Sequence, residues 1–353
     1  MDEAARSVGE EGVARRWSHP PRFGMKRSSR TQNALIIQAA PPFRLDLTVW
    51  ALRRRSRNAI DRWDGVTYRR VIVVAGRSTE LEVRQAGSSN RPYVIVTTAP
   101  PLRTISDERH VSSILEGMLG LRIDLSGWYR MAERDPRLRT LAARFKGVKP
   151  PRFPSVFEAL VNGFACQQLS LIVGLELLNR LAALCAVSRG RRGGQSVYAF
   201  PSAEEVAKLA PSRYQAIGFS RQKVRALLGL ARGIDGGVIN LDTLAEQDDP
   251  ATQARLLAIR GVGRWTAEYV MLRGLGRLHV FPGDDVGAQK NLARWLGRPS
   301  PLDYAGVKRV VDKWQPYAGM VYFHLLLDGL SKAGALPIVR MTRDLPLLSV
   351  CIQ

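Results

Sequence analysis

The sequence predicts an α+β fold in which a small antiparallel β-sheet precedes a larger, mostly α-helical region. Between Ala34 and about Pro100 the chain carries β-branched runs with partial alternation, separated by Pro, Gly and Asn turns. From Ser106 onwards, apolar residues recur at helical spacing. The helical part contains an apolar helix that ends in Gly-Val-Gly and is followed at once by a second helix, over residues 256–272.

These patterns divide the chain into four parts. Residues 1–33 are polar with little periodicity, which is typical of a disordered basic arm. Residues 34–105 form the predicted sheet domain and residues 106–335 the predicted helical domain. Residues 336–353 are expected to form an irregular tail.

The sheet domain contains five predicted strands, namely ALIIQA, RLDLTVWAL, TYRRVIVVAG, TELEVRQAG and PYVIVTTAP. Polar and apolar residues alternate from Arg44 to Val49, which predicts one buried and one solvated face. The stretch from Trp50 to Trp63 is interpreted as a helix covering the sheet. Its arginines are expected to form a solvated face rather than a specific DNA contact.

The helical domain is predicted to contain a series of amphipathic helices. A long helical pattern from Ser155 to Leu184 is interrupted by Cys-Gln-Gln-Leu-Ser at residues 166–170. Arg189 to Gln195 is interpreted as a basic loop. The remaining predicted helices cover residues 106–119, 126–134, 200–209, 224–232, 264–272, 286–296, 304–314 and 317–330, with a further helix that opens at Asp249-Pro250.

The charge balance indicates a polyanionic partner. The chain has 353 residues with 53 Lys and Arg against 31 Asp and Glu, a net charge of +22. This excess favours nucleic acid first and an anionic membrane surface second. No apolar run approaches the roughly 18 residues of a membrane helix, and the N-terminus lacks the apolar segment of a secretory signal.

The cysteines predict neither a disulfide framework nor a metal site. Cys166, Cys185 and Cys351 are odd in number and widely spaced. A reducing intracellular setting is the natural expectation.

The Gly-Val-Gly turn predicts a phosphate-binding site. Gly261 and Gly263 permit a sharp turn and a close approach of a partner to the backbone. The free N–H groups at the start of the helix from Arg264 form an anion site that reads no base. The alternative interpretation is a glycine-rich connection between two packed helices, since short glycine motifs are often false positives.

Aromatic and acidic residues accompany this turn. Trp265 and Tyr269 are four residues apart and therefore share one helix face. Asp284 and Asp285 precede the helix predicted from Val286, where an Asp is either a helix cap or a catalytic carboxylate.

The arrangement G-V-G-R-W-T-A-E-Y followed by F-P-G-D-D resembles the helix-hairpin-helix DNA glycosylases, most closely the DNA-3-methyladenine glycosylase II group of bacteria. The resemblance covers roughly residues 42–335 and implies two helical lobes with the active-site cleft between them. It implies that Asp285 is catalytic and that Trp265, Tyr269 and Tyr317 line the base pocket. Bifunctional members carry lysine at the position of Trp265, so a monofunctional enzyme is expected.

The resemblance also implies DNA-binding residues, namely Gly261, Val262, Gly263, Arg264, Gln167, Gln168 and Lys223. Gln168 falls where the family inserts a wedge into the minor groove, although Cys166 replaces the usual glycine. The alternative for Gln167 and Gln168 is a helix junction in which both amides satisfy backbone groups. The alternative for Lys223 is a solvated surface lysine, and that for Tyr317 is a core position.

The resemblance therefore implies a monofunctional glycosylase that flips out and excises alkylated purines of the 3-methyladenine and 7-methylguanine type in base excision repair. Its partner would be duplex DNA with damaged bases, bound by a monomer, in the cytoplasm with the nucleoid if the source is prokaryotic. No iron–sulfur cluster is expected because the family's cysteine set is absent; a monovalent cation at the hairpin carbonyls is compatible with the sequence. Two alternatives remain open: a glycosylase for deaminated or oxidised bases, and a non-catalytic DNA-binding protein.

Overall fold

The computed structural model describes residues 34–185, 189–192 and 195–336. The predicted N-terminal arm and, apart from its first residue, the predicted tail lie outside the described residues. The described chain is an antiparallel sheet followed by helices, which confirms the predicted α+β fold class.

The N-terminal sheet has five antiparallel strands in the order β1-β5-β4-β3-β2. The alternation in β4 and β5 explains its packing, because Leu81, Val83, Val94 and Val96 are fully buried on one face. The strands are β1 (Ala34–Gln38), β2 (Arg62–Trp63), β3 (Thr67–Val74), β4 (Arg77–Ala86) and β5 (Tyr93–Ala99).

The strand predicted at residues 44–52 is wrong, since this segment forms helix α1 (Leu45–Arg53). Its alternation produces no solvated face, because Leu47, Thr48 and Val49 are all buried. Burial on nearly every side of the helix overrides the β-branched pattern, which is a weak determinant by itself. The observed order is one strand, then α1, then four further strands.

The helix predicted from Trp50 to Trp63 is wrong beyond Arg53, where α1 ends. Arg54 adopts a left-handed backbone conformation with φ of 62°, and Arg62–Trp63 forms β2. The expectation that the arginines of the predicted helix are solvated is also wrong for Arg53 and Arg54, which are only 4% and 5% exposed. Arg53 is satisfied by three carbonyl oxygens of the following turns.

Most helices after the sheet agree with the sequence pattern in order and approximate bounds, but the helices at Pro136–Arg144 and Pro211–Ala216 were not predicted. The helices are α2 (Ile105–Met118), α3 (Ser126–Arg134), α4 (Pro136–Arg144), α5 (Val156–Cys166), α6 (Leu171–Cys185), α7 (Ala203–Ala207), α8 (Pro211–Ala216), α9 (Arg221–Asp235), α10 (Asp249–Ala258), α11 (Arg264–Arg273), α12 (Val286–Leu296), α13 (Tyr304–Val311) and α14 (Ala318–Lys332). Side-chain caps begin many of them, such as the reciprocal pair of Ser202 and Glu205 at α7.

The basic loop predicted at residues 189–195 is instead a short hairpin of β6 (Arg189–Arg192) and β7 (Gln195–Tyr198). The predicted break after Cys166 is present, and it separates α5 from α6. One continuous hydrophobic core joins the sheet, α1 and the later helices. No described helix combines the length and apolar character that crossing a bilayer requires.

Candidate active site

The Gly-Val-Gly turn joins α10 to α11 and leaves the start of α11 open. Gly261 has φ of 88°, and a Cβ there would lie 2.6 Å from the Cβ of Ala226. Gly263 is the N-cap of α11, and a Cβ there would meet nothing within 4 Å. Among the described hydrogen bonds, the first three N–H groups of α11 have no acceptor. The turn therefore presents free N–H donors on an open surface.

Gln167 connects this turn to the junction between α5 and α6. Its Nε2 donates to the carbonyl oxygen of Gly261 and to Oγ1 of Thr266, both at 2.8 Å. The helix-junction interpretation of this amide thus agrees with the geometry, and Gln167 positions the hairpin. A direct contact of Gln167 with DNA stays a prediction.

Asp285 caps α12 and lies at the edge of an aromatic cluster. Its Oδ1 accepts the N–H of Ala288 at 2.8 Å. Its Oδ2 accepts hydrogen bonds from Nε1 of Trp265 and from the hydroxyl of Tyr322, each at 3.3 Å. The side chain is partly exposed. Asp285 is therefore both a helix cap and an oriented carboxylate that a substrate can approach.

The loop before Asp285 is held to α11 by two acidic residues. Asp284 accepts a hydrogen bond from Nε of Arg264 at 2.6 Å. The buried Glu268 accepts the N–H of Gly283 at 2.8 Å and the hydroxyl of Tyr304 at 2.7 Å. These contacts fix the loop that carries Asp285 relative to the hairpin helix.

The aromatic cluster contains both rings predicted on the face of α11. Trp265 and Tyr269 stack with centroids 5.4 Å apart and planes 28° apart. Trp265 is partly exposed, whereas Tyr269 is 2% exposed. The cluster therefore runs inward from Asp285 and Trp265 to Tyr269.

Tyr322 belongs to this cluster and was missed by sequence reasoning. It contacts Asp285 directly, and burial followed by the charge of Asp285 raises its pKa well above the ordinary value. The phenol therefore remains protonated and donates to the carboxylate. Tyr322 lies in the apolar pattern of α14, where nothing local distinguishes a site aromatic from a core aromatic.

Tyr317, predicted to line the base pocket, lies elsewhere. It packs against Trp128 of α3, with ring centroids 6.4 Å apart. A Cβ on Gly127 would lie 2.1 Å from the hydroxyl oxygen of Tyr317. The phenol of Tyr317 therefore fits against α3 because residue 127 is glycine. No contact in the described part of the chain connects Tyr317 with Asp285 or Tyr269. The geometry gives it a packing role and not the predicted pocket role.

Gln168 and its neighbours form an exposed segment beside the hairpin. Gln168 has φ of 54° and is exposed, as expected for a residue projecting from the junction. Leu169, Ile172 and Val173 are 42%, 55% and 45% exposed. The junction thus presents an apolar patch next to Gln168, and Leu169 is the member of this patch nearest to Gln168 in the sequence.

Lys223 lies at the same junction, but its ammonium group points inward. Its Nζ lies 2.8–2.9 Å from the carbonyl oxygens of Phe164, Ala165 and Gln167. An ammonium has three N–H donors, and all three have partners here. The predicted phosphate contact and the solvated-lysine alternative both disagree with this geometry, because Lys223 caps the C-terminus of α5.

Two buried arginines lie behind Tyr269, and the sequence did not indicate either of them as a site residue. Arg54 donates from Nη1 to the hydroxyl of Tyr269 at 3.0 Å and from Nη2 to Oδ1 of Asn162 at 2.8 Å. Arg273 lies with its guanidinium carbon 5.8 Å from the Tyr269 ring centroid. Arg54 is separated from Tyr269 by 215 positions, so no local pattern indicates the pair.

The described residues contain no group of three or more His, Cys, Asp or Glu side chains that could hold a metal ion. At the hairpin, the carbonyl oxygens of Ile259 and Gly261 already accept hydrogen bonds from Val262 and Gln167. Each keeps a second lone pair, so the pair is compatible with a monovalent cation.

Comparison with known proteins places this geometry in context. The profile of a family described as "HhH-GPD superfamily base excision DNA repair protein" matches residues 161–316. A DNA-3-methyladenine glycosylase of Bacillus subtilis is 25% identical over 297 residues, which cover 83% of this chain and 97% of that protein. DNA-3-methyladenine glycosylase 2 of Escherichia coli is 27% identical over 190 residues, covering 53% of this chain and 63% of that protein.

The fold is similar to that of a 3-methyladenine DNA-glycosylase from Archaeoglobus fulgidus. The superposition has a TM-score of 0.72 at 24% identity and covers 83% of this chain and 97% of the other. The family match, over residues 161–316, includes the second half of α5, the hairpin and Asp285.

Proposed function

Because the chain belongs to the HhH-GPD superfamily of base excision DNA repair proteins, we propose that it is a monofunctional DNA glycosylase that flips out alkylated purines and hydrolyses their N-glycosidic bond. The observation that carries the proposal is Asp285. Its carboxylate is oriented by Trp265, Tyr322 and the start of α12, at the exposed edge of an aromatic cluster.

The hairpin and the junction beside it would hold the DNA. The free N–H groups of α11 suit a phosphate oxygen, and the net charge of +22 favours the polyanion at long range. Gln168 or Leu169, both exposed at the junction, would fill the space left by the flipped nucleotide. Support for this arrangement comes from Gln167, which ties the junction to the hairpin.

The aromatic cluster would receive the flipped base. N-alkylation at the ring places positive charge on a purine, and aromatic faces attract cations. Trp265 offers the accessible ring of the stacked pair, with Tyr269 behind it. Recognition of this kind selects by charge and shape rather than by a pattern of hydrogen bonds.

Asp285 would stabilise the positive charge that develops on the sugar as the bond to the base breaks. At about 4 Å and an effective dielectric constant of about 20, a carboxylate stabilises a unit positive charge by about 4 kcal/mol. The same carboxylate can orient the water that adds to C1′. An alkylated purine is already a good leaving group, so this one charge suffices for its departure.

A lyase step is not part of the proposal. Trp265 supports this, because the resemblance implies that bifunctional members carry at this position the lysine that forms a Schiff base. The indole of Trp265 has no nucleophilic amine, so the product would be an intact abasic strand. Borohydride trapping of the protein on abasic DNA is expected to give no covalent adduct.

The decisive experiment measures base release by the Asp285→Asn variant from a duplex with a single 7-methylguanine. Asn caps a helix about as well as Asp, so folding is retained, duplex binding remains, and the rate of release falls about 10²- to 10³-fold. Asp303→Asn is the matched control, because Asp303 caps α13 through the N–H of Gly306 at the same 2.8 Å. Release unchanged in Asp285→Asn would refute the role of this carboxylate.

A glycosylase for a deaminated or oxidised base is the second candidate. Val286, which follows Asp285, is 60% exposed, and the resemblance implies that some family members carry an aromatic residue at this position. Release measured from duplexes with hypoxanthine or 8-oxoguanine, beside the 7-methylguanine duplex, distinguishes the two candidates.

A further inference from the structure

The pair formed by Arg54 and Tyr269 has the properties of a hydrogen-bond donor site for a ligand. Arg54 ends α1 in a left-handed conformation, which is costly for a residue with a Cβ. From there its side chain reaches α5 and α11, where it donates to Asn162 and Tyr269. A strained backbone thus holds a guanidinium at the inner end of the aromatic cluster.

Among the described residues, no carboxylate is paired directly with the positive charge at this place. Within residues 34–185 and 195–336, no carboxylate lies within 4.0 Å of the guanidinium of Arg54 or of Arg273, and Nε of each has no hydrogen-bond partner. Both side chains are at least 95% buried. Uncompensated buried charge is destabilising, so it is usually paired.

The buried Arg70 shows the usual solution in the same molecule. It lies 2.7 Å from Asp61 and 2.5 Å from Glu158, and all three side chains are almost fully buried. The lack of a paired carboxylate at Arg54 and Arg273 is therefore a feature of this place and not a general property of the described core.

The hydroxyl of Tyr269 is left with a proton to donate. Its oxygen accepts a hydrogen bond from Arg54, and among the described hydrogen bonds the hydroxyl donates to no acceptor. Burial raises the pKa of Tyr269, although Arg54 and Arg273 offset part of the effect, so the phenol keeps its proton at neutral pH. A phenol that accepts from a cation is polarised and becomes a stronger donor.

The cluster consequently has a negative end and a positive end. Asp285 lies beside Trp265 at the exposed end. Tyr269 lies one helical turn further along α11, with the two guanidiniums behind it. When a glycosidic bond breaks, the sugar becomes positive and a neutral base leaves with an extra electron pair. The positive sugar suits the negative Asp285, and the electron-rich base suits the positive end of the cluster.

We propose that Tyr269, held and polarised by Arg54, donates a hydrogen bond to the far edge of the flipped base and so assists the departure of neutral purine lesions. This rests on the proposed function, because it requires a base in the cluster. The C1′–N bond breaks with its electron pair on the base. Water supplies the hydroxyl to C1′, and its proton is transferred to the base through solvent as the products leave. A cationic purine departs as a neutral molecule and needs no such donor.

The test compares single-turnover release of hypoxanthine, which is neutral, with release of 7-methylguanine, which is cationic, by the full-length protein. Tyr269→Phe removes only the hydroxyl. Loss of one hydrogen bond to developing charge lowers the rate about 10- to 100-fold, so hypoxanthine release is expected to fall by that factor and to fall clearly more than 7-methylguanine release. Arg54→Met, a change in a positioning residue, is expected to reproduce the same selective loss.

Tyr129→Phe is the matched control, because its hydroxyl also accepts a hydrogen bond, from the N–H of Gly147, away from the cluster. Equal losses for both bases in Tyr269→Phe would show a merely structural role and overturn the proposal, as would unchanged release of both. Wild-type release of 7-methylguanine without hypoxanthine would overturn it and leave the proposed function standing. Release of neither base would refute the proposed function itself.

Discussion

Gly261 and Gly263 lie two residues apart in the hairpin, and the structure predicts different consequences for the same substitution. Alanine at Gly261 is expected mainly to lower stability, and alanine at Gly263 mainly to lower affinity for duplex DNA. At Gly261, alanine must adopt φ of 88°, which costs about 1–2 kcal/mol. Its Cβ would also lie 2.6 Å from the Cβ of Ala226, and such overpacking costs about 1–3 kcal/mol. The free energy of unfolding is therefore expected to fall by about 2–5 kcal/mol, which corresponds to a decrease in Tm of roughly 3–7 °C for a chain of this length.

Gly263→Ala isolates the second role of the turn. Its backbone is extended and its new Cβ would meet nothing within 4 Å, so only the N-cap preference changes, by about 1 kcal/mol. The methyl group would project from the surface that offers the free N–H groups, and duplex affinity is expected to fall about tenfold or more.

Calorimetry and duplex-binding titrations on both variants measure the two effects. A Gly263→Ala protein with wild-type affinity would refute the placement of a phosphate at this turn. A Gly261→Ala protein with wild-type Tm would refute the close packing of the turn against α9.

Three other changes have defined outcomes. Lys223→Met leaves three carbonyl oxygens without their donor and is expected to lower the free energy of unfolding by about 1–3 kcal/mol in urea titrations; the salt dependence of DNA affinity should not change, whereas a lost phosphate contact would reduce its slope by about one. Tyr322→Phe removes a hydrogen bond to Asp285 and is expected to slow base release about tenfold with little change in duplex binding; unaltered release would place the phenol outside the chemistry. Burial lowers the pKa of His324 from 6.5 to about 4, so the unfolded chain takes up a proton first as the pH falls. The contribution of His324 to the free energy of unfolding is complete above pH 6.5 and declines by about 3 kcal/mol towards pH 4. Urea titrations of His324→Phe should show that this part of the pH dependence is lost. An unchanged pH dependence would assign it to other groups.

Much of the candidate site could be inferred from short-range signals in the chain. The Gly-Val-Gly turn, the i, i+4 pair of Trp265 and Tyr269, and the N-cap position of Asp285 each depend on a few neighbouring residues. These features depend on local backbone conformation, so they can be predicted from the sequence. The stacking of the two rings and the cap both agree with the predicted helix faces.

The incorrect and missing predictions share one cause, which is packing between residues that are distant in the sequence. Lys223 looks like a surface residue in sequence, yet its donors reach the end of a helix 56 to 59 positions earlier. Tyr317 and Tyr322 both lie at or in α14, and only the packing of that helix directs Tyr322 to Asp285 and Tyr317 to Trp128. The alternation at residues 44–49 favours a strand, but burial on nearly every side of α1 outweighs this propensity.

The fold class, the order of most helices, the hairpin and the acidic residue that caps the following helix follow from the sequence. Which cations are buried, which phenol contacts Asp285 and how Arg54 reaches Tyr269 depend on tertiary packing. The physical reason is range: caps, glycine turns and helix faces depend on residues within about one turn of each other. The charge around a base pocket depends on side chains brought together from distant parts of the chain by the packing of the core.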